Sequence, residues 1–190
     1  MPILIIIIII SAFFRLYGLN WDQGQHLHPD ERMITMVADR INLTNLNPKF
    51  FAYGSFPIYL LHFTGNLADV FNPTLAHYDR LNLVGRAFSA LFDLGTLTIL
   101  YFLGIKLASK GAGLLAALFY GVAVLPIQLS HFYAVDTLLT FFTITCLYLL
   151  VLFSEKPSLR KSLFIGITFG FALATKTSAL LLAFPIFITL

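Results

Sequence analysis

The chain has 190 residues, of which 58% are hydrophobic and only 11% are charged. Soluble domains carry about 25% charged residues, so this chain has too few to cover a water-exposed surface. Together with a mean hydropathy of +0.86, this composition indicates a membrane protein. The formal charge of +3 is small and the basic residues are scattered, which argues against nucleic-acid binding. The single cysteine, Cys146, rules out an intrachain disulfide.

An apolar run at residues 3 to about 19 predicts a first membrane-spanning helix. No basic residue precedes the run and no small-residue cleavage pattern follows it, so a retained helix is favoured over a signal peptide. Arg15 is the only charged residue in the run, and its side chain is expected to snorkel to the interface. Trp21 follows at a position typical of an interfacial anchor.

A dense group of ionisable residues follows this first helix, from His26 to Arg32. Pro29 suits the first position of a helix, and Asp30 and Glu31 then lie in the first turn, where the helix dipole favours carboxylates. Apolar side chains recur with a helical period on one face, at Met33, Ile34, Val37 and Ile41. The pattern predicts an amphipathic helix that lies along the membrane surface.

The rest of the chain predicts further membrane-embedded helices. Residues 58–71 are apolar but short and interrupted by polar side chains, which favours an interfacial position. Four longer apolar runs predict spans at about 87–105, 113–129, 137–153 and 162–174, and a sixth begins near residue 178. Because the chain ends at Leu190 inside an apolar run, we interpret residues 1–190 as the N-terminal transmembrane portion of a longer protein.

Basic residues in the loops predict the orientation in the membrane. They follow the second and fourth predicted spans, at Lys106, Lys110, Lys156, Arg160 and Lys161. Cytoplasmic loops carry an excess of Lys and Arg, so these two loops are expected in the cytoplasm and the long loop at about 20–85 outside it. The sequence thus predicts an all-α polytopic membrane protein. It has about six transmembrane helices, the last one incomplete, and amphipathic interfacial helices in the first outer loop.

Asp30 and Glu31 are the best catalytic candidates, because a carboxylate at the outer membrane face can remove a proton from an acceptor hydroxyl or amine. Adjacent residues on a helix point about 100° apart, so the two carboxylates are not expected to share one role. We assign Asp30 as the general base and Glu31 as a residue that orients it or binds substrate. The alternative is a pair that interacts only with the helix dipole.

The histidines of the same stretch leave two interpretations open. His26 and His28 could bind a metal together with the two carboxylates, since imidazole and carboxylate are suitable ligands. Their spacing carries no strong metal-binding signature, and solvated loop histidines are the other interpretation.

Two further acidic residues are notable. Asp136, in the short loop before the fourth span, is either the N-cap of that helix or a second acidic group at the membrane face of Asp30. His131 and Tyr133 of that loop are weaker candidates. Asp93 lies deep in the second predicted span, where an ionised group needs a partner. Arg86, two turns away, is too far for direct contact, which leaves Lys176 as a candidate partner.

Arg86 and Lys176 are both expected near the outer interface. A cation there can bind a lipid phosphate. The alternative is that each side chain only extends to the membrane interface to keep its charge in water. The chain has no glycine-rich phosphate-binding loop, which argues against a soluble nucleotide as the activated substrate.

Several motifs, in this order, resemble the polyprenyl-phosphate-sugar-dependent glycosyltransferases of the GT-C class. This class includes the protein O-mannosyltransferases and the aminoarabinose transferases of lipid A. The acid pair follows an early span as Pro29-Asp30-Glu31. The other similar stretches are 47–59 (NPKFFAYGSFPIY), 85–91 (GRAFSAL), 130–136 (SHFYAVD) and 170–176 (GFALATK).

The resemblance implies a multi-span transferase whose first outer loop carries the catalytic aspartate, a role that maps onto Asp30 with Glu31 as its neighbour. The acidic residue of the second outer loop maps onto Asp136, and Arg86 and Lys176 are the candidates for binding the lipid phosphate. Three further substrate-binding candidates are Tyr53 and His131, which lie in these stretches, and His28, which directly precedes Pro29. Some relatives bind a metal through a glutamate before a proline-rich turn. Residues 53–56 offer no carboxylate here, so no metal ligand is assigned and a divalent cation stays an open alternative.

The expected function is transfer of a sugar from a polyprenyl-phosphate-linked donor to a protein, lipid or glycan acceptor. The expected site is the non-cytoplasmic face of a cell membrane, among membrane lipids, and direct attack at the anomeric carbon would invert its configuration. The alternatives are a transporter, for which Asp93 is the suitable ionisable group, and a membrane subunit that keeps the fold without the chemistry.

Overall fold

The computed structural model describes residues 2–42 and 44–189, so Leu190, at which the sequence ends, lies outside the described residues. Within these ranges the regular secondary structure is helical, apart from one isolated bridge between Asn42 and Asn45. The elements are α1 (Pro2–Leu16), α2 (Pro29–Arg40), α3 (Phe56–Asp69), α4 (Tyr78–Leu107), α5 (Lys110–Val122), α6 (Val124–Ser130), α7 (Val135–Glu155), α8 (Leu159–Thr175), a 3-10 helix (Thr177–Leu182) and α9 (Ala183–Thr189). The expected all-α class is therefore confirmed.

Two of these helices, α4 and α7, are long and apolar enough to cross a membrane. At 30 residues, α4 extends about 45 Å, so its ends project beyond a hydrocarbon core of about 30 Å. Helices α5 and α6 make a third candidate span if they are taken together, although they are bent by 58° at Ala123. Helix α1 and the segment Thr177–Thr189 are apolar but shorter.

The bend between α5 and α6 is stabilised from α1. Pro126, in the first turn of α6, has no N–H to continue the hydrogen bonding of α5. At the end of α5, Arg15 donates to the carbonyl oxygens of Gly121 at 2.9 Å and Tyr120 at 3.3 Å, and the Tyr120 oxygen also accepts from the Ala123 N–H. The guanidinium thus adds donors at the break in the helix.

Arg15 also forms an ion pair with Asp93 of α4, and the Tyr120 hydroxyl donates to the same carboxylate. The Arg15 and Asp93 side chains are almost fully buried. The expectation that Arg15 snorkels to the interface is therefore wrong, because a buried acid and the carbonyl groups at the end of α5 bind it inside the protein. Asp93 has the partner that its depth demands, but this partner is Arg15 and not Lys176.

Helix α4 lies at the centre of the bundle, between α5 and α7, and α7 packs in turn against α8. One end of the bundle carries the basic loops, where Lys106 of α4 pairs with Glu155 of α7 at 2.7 Å. The other end carries α2 and α3, which pack against each other and against α4. The acid pair and the basic loops thus lie at opposite ends of the helices.

Helix α2 begins at Pro29, as the sequence predicts, and carries Asp30 and Glu31 in its first turn. Ile34 and Ile41 of its expected apolar face are buried, whereas Met33 is 43% exposed. The buried side of α2 faces other helices of the protein. The side of Met33 is left open, next to the candidate site described below.

We expect Arg15→Leu to lower the free energy of unfolding by about 3–5 kcal/mol, because it leaves the Asp93 carboxylate buried without its cation. The double variant Arg15→Leu/Asp93→Leu should recover most of this loss, since it removes both charges. Thermal melting of the purified protein in detergent measures both effects. Equal melting temperatures for Arg15→Leu and the unmodified protein would contradict this account of the buried pair.

Candidate active site

The N-terminus of α2 separates the two adjacent carboxylates. His28 is the N-cap, and its Nδ1 accepts from the backbone N–H of Glu31 at 3.4 Å. The His28 ring stacks on Phe132 with 4.3 Å between centroids, which attaches this cap to the loop before α7. From the first turn, Asp30 points to a partly exposed position and Glu31 to a fully buried one. The two adjacent carboxylates thus lie in different environments.

Glu31 forms a buried double ion pair with Arg86 of α4. The Glu31 oxygens accept from Arg86 Nε and Nη2 at 2.8 and 2.6 Å, and Asp22 accepts from Nη1 and Nη2 at 3.0 and 2.7 Å. The Leu19 carbonyl oxygen accepts from Nη1 at 2.6 Å. These contacts use all five N–H groups of the guanidinium. In this conformation Arg86 has no donor left for a lipid phosphate.

Asp22 is a site residue that sequence reasoning missed. Burial by itself raises the pKa of its carboxyl, but the hydrogen bonds and charge of Arg86, with the backbone amides of Gly24 and Leu27, outweigh this effect. The net result is a pKa below the usual value, so Asp22 is ionised and balances the second half of the guanidinium. The only signal in the sequence for this role was that Asp22 is a lone acid directly after Trp21. The centre of the Trp21 ring lies 5.5 Å from the Arg86 guanidinium carbon.

Tyr133 joins the buried network to the first turn of α3. Its backbone N–H donates to Glu31 at 2.9 Å, and its hydroxyl donates to the Pro57 carbonyl oxygen at 2.7 Å. The ring lies against Gly85, where a Cβ atom would come within 2.4 Å of it. Full burial raises the pKa of Tyr133 far above its ordinary value, which keeps the hydroxyl a donor.

Asp30 lies beside Tyr53, which comes from the loop between α2 and α3. Hydrogen bonding to the Asp30 carboxylate, partial burial and the negative charges of Asp30 and Asp136 raise the pKa of Tyr53 to about 12. The phenol is therefore protonated at neutral pH and is a donor next to the candidate base. The same effect indicates that Asp136 is close enough to act on Tyr53.

Asp136 and Lys176 form a partly exposed ion pair at 3.2 Å, with side chains 41% and 35% exposed. The Lys176 ammonium also lies 6.0 Å from the centre of the Tyr53 ring. Asp136 stands in the first turn of α7, whose N-cap is Ala134. The interpretation of Asp136 as an N-cap is therefore wrong, although its carboxylate still benefits from the helix dipole.

The loop of Tyr53 is attached directly to the end of α8. The Gly54 N–H donates to the Thr175 carbonyl oxygen at 3.0 Å. A Cβ atom at Gly54 would lie 1.9 Å from the Ala174 carbonyl oxygen, so only glycine allows this approach. Because Tyr53 and Lys176 flank the contact, the docking of two backbones positions both side chains.

His131 lies away from this cluster and links the ends of α6 and α1. Its ring nitrogens are 2.8 and 2.9 Å from the carbonyl oxygens of Ile127 and Tyr17. His26 is buried and stacks on Tyr78 at 4.3 Å between centroids. The interpretation of His26 as a solvated loop histidine is therefore wrong.

Across residues 2–42 and 44–189, no three His, Cys, Asp or Glu side chains come together in an arrangement that could bind a metal. Besides the buried network around Arg86, the structure brings together a second group of side chains, which we call the carboxylate–lysine cluster. It consists of Asp30, Tyr53, Asp136 and Lys176, which come from four separate segments. A partly exposed carboxylate can accept a proton there, and the ammonium group can bind an anion.

Comparison with known protein families gives a match over the second part of the chain. The family described as dolichyl-phosphate-mannose-protein mannosyltransferase matches residues 78–190, which contain Arg86, Asp136 and Lys176. No curated protein and no solved structure matches the chain. Because the matched residues are more than half of the sequence, the chain belongs to the dolichyl-phosphate-mannose-protein mannosyltransferase family, whose members are membrane glycosyltransferases of the GT-C type.

Proposed function

We propose that this protein transfers a sugar, mannose by its family, from a polyprenyl-phosphate-linked donor to a hydroxyl group of a protein acceptor. The observation that carries the proposal is the carboxylate–lysine cluster. It combines a candidate base, Asp30, with a cation, Lys176, at one end of a bundle of apolar helices. Acceptor deprotonation and binding of the departing phosphate need these two kinds of group.

The reaction follows from these groups. Asp30 takes the proton of the acceptor hydroxyl while the acceptor oxygen attacks the anomeric carbon of the sugar. The bond between that carbon and the phosphate oxygen breaks, and its electron pair leaves with the polyprenyl phosphate. Attack opposite the leaving group inverts the anomeric configuration. Because the sugar is already activated by its phosphate linkage, the protein contributes alignment, a base and charge stabilisation.

Lys176 is assigned to the leaving phosphate. Its ion pair with Asp136 is partly exposed, and such pairs contribute little stability, about 0–1 kcal/mol. The ammonium group can therefore turn to a phosphate at small cost. Asp136 holds Lys176 in place before the donor binds and contributes to the shape of the site.

Tyr53 orients the base. Its raised pKa of about 12 keeps the phenol protonated through the physiological range, so it can donate to the Asp30 carboxylate. The carboxylate keeps capacity to take the acceptor proton. Tyr53 also presents its ring next to the site, where a sugar can pack against it.

Glu31, Arg86 and His28 are assigned as positioning residues. Glu31 and Arg86 attach the N-terminus of α2 to α4, and the His28 cap attaches it to the loop of Tyr133. Because the neighbouring Glu31 is buried and bound to Arg86, the start of α2 is fixed, and this places the Asp30 carboxylate in the site. His131 is assigned a supporting position further from the reacting atoms.

The membrane arrangement is part of the proposal. We infer about six spans, namely α1, α4, α5 with α6, α7, α8 and the segment 177–189, with α2 and α3 at the interface. The basic loops after α4 and α7 would lie in the cytoplasm. The carboxylate–lysine cluster, at the opposite end, would then face the outside of a cell membrane, where a polyprenyl phosphate and its sugar are accessible.

Asp30→Asn in the full-length protein should reduce sugar transfer by about 10²–10⁴-fold, the usual contribution of a general base. The melting temperature should stay the same, because Asp30 is partly exposed and outside the Arg86 network. Transfer from a polyprenyl-phosphate mannose to a threonine peptide, followed by mass spectrometry, measures the effect. Asp39→Asn, an exposed acid on the same helix, is the matched control. Normal transfer by Asp30→Asn would refute the assignment.

Lys176→Met should raise the KM for the lipid-phosphate donor by about tenfold or more, since it removes the proposed cation at the leaving phosphate. Lys176→Arg should recover part of this affinity because the charge is kept. Lys156→Met, at the opposite end of the bundle, is the control. Donor saturation curves that coincide for Lys176→Met and the unmodified protein would remove Lys176 from the site.

Glu31→Ala should destabilise the protein by about 3–5 kcal/mol, because it leaves half of a buried guanidinium without an anion. Its loss of transfer should therefore come with a lower melting temperature, unlike that of Asp30→Asn. Thermal melting and transfer at low temperature separate the two effects. Full stability of Glu31→Ala would show that the position of α2 does not depend on this pair.

A further inference from the structure

A groove lies next to the carboxylate–lysine cluster, along the open side of α2. One wall is the helix itself and the other is the segment that follows it, up to residue 50. The lining residues on which the argument rests are Met33, Val37, Arg40, Asn45, Lys49 and Phe50. We call this the α2 groove. Nothing in the proposed reaction uses it.

The groove is continuous with the cluster on both walls. On the helix, Asp30, Met33, Val37 and Arg40 recur at intervals of three or four residues and share one face. On the other wall, the Phe50 ring lies 5.9 Å from the ring of Tyr53, the neighbour of Asp30. A molecule in the groove would therefore have one end at the candidate base.

The groove carries two cations without an acidic partner. Arg40 and Lys49 are both exposed, and within the described residues neither side chain forms an ion pair. Lys49 is presented by a tight turn in which its N–H donates to the Asn47 side chain at 2.9 Å. Asp39 precedes Arg40 on the helix and lines the neighbouring cleft beside Tyr78, which Arg40 also borders, but no ion pair joins the two side chains. The charge of the α2 groove is thus positive and unbalanced.

The surface of the α2 groove between Arg40 and Lys49 has the chemical groups that bind a polypeptide. Met33, Val37 and Phe50 offer apolar contact, and the carboxamides of Asn45 and Asn47 carry both donors and acceptors. A peptide backbone presents both kinds of group, whereas a lipid phosphate presents acceptors only. The mixture favours an extended peptide over an anionic headgroup.

We propose that the α2 groove binds the acceptor polypeptide and selects an acidic side chain a fixed distance from the modified hydroxyl. The inference rests on the proposed function and adds the acceptor subsite. Ten residues of helix separate Asp30 from Arg40, a rise of about 15 Å. An extended peptide advances about 3.3 Å per residue. An aspartate or glutamate four or five residues from the acceptor hydroxyl therefore reaches Arg40 and Lys49.

The test uses the full-length protein and synthetic peptides with one threonine and one aspartate, separated by two to eight neutral residues in either direction. The KM for the peptide should be lowest, by about fivefold, when the aspartate is four or five positions from the threonine. In Arg40→Glu/Lys49→Glu the preference should reverse to peptides with lysine at that position. Arg32→Glu, at an exposed cation of α2 that does not line the groove, should keep the original preference.

Each other outcome decides against the inference. A KM that does not depend on the position of the aspartate, or a double variant with unchanged preference, overturns it while leaving the proposed function in place. A double variant that loses transfer to all peptides only in vesicles rich in anionic lipid assigns the groove to the membrane. Absence of transfer to every peptide by the unmodified protein overturns the proposed function, and the inference with it.

Discussion

The arrangement of the candidate site depends on one buried guanidinium. Arg86 binds Glu31 of α2, Asp22 and the Leu19 carbonyl oxygen after α1, and every one of its donors is used. A buried cation of this kind is tolerated only when its partners are held in good geometry. The same requirement fixes the loop after α1 and the start of α2, which both bind this guanidinium. The charge of Arg86 on α4 therefore determines where Asp30 lies.

Because of this constraint, the adjacent acids Glu31 and Asp30 have different roles. Glu31 also accepts from the backbone N–H of Tyr133, so one carboxylate joins α2, α4 and the loop before α7. Asp30, about 100° around the helix, is left partly exposed next to Tyr53. The buried acid is engaged in the network by both of its oxygens, whereas the partly exposed one, beside the Tyr53 phenol, is accessible to a substrate. An acid pair on one helical turn can thus supply a support and a reactive group.

The sequence predicted the helical class, the start of α2 at Pro29 and the separation of the acid pair from the basic loops. These features follow from local patterns, namely apolar length, a proline at a helix start and loop charge. The partner of each buried charge was not predictable in this way. Arg15 finds Asp93 across 78 residues of sequence, and Asp22 finds Arg86 across 64. Such pairings depend on how α1 packs against α4, which no local pattern encodes.

The buried ion pairs of Arg86 and of Asp93 both lie on α4, so this helix connects the two networks. Arg86 and Asp93 are two turns apart on nearly the same face of α4, and each is bound by an opposite charge from the segment around α1, Asp22 and Arg15 respectively. Arg15 also supplies donors to the broken end of α5, whose continuation α6 leads into the loop of Tyr133. The bend in that candidate span and the position of the acid pair are therefore set by the same helix. A change in the packing of α1 against α4 would therefore act on both the bend after α5 and the attachment of the acid pair, even though α1 contributes no residue to the carboxylate–lysine cluster.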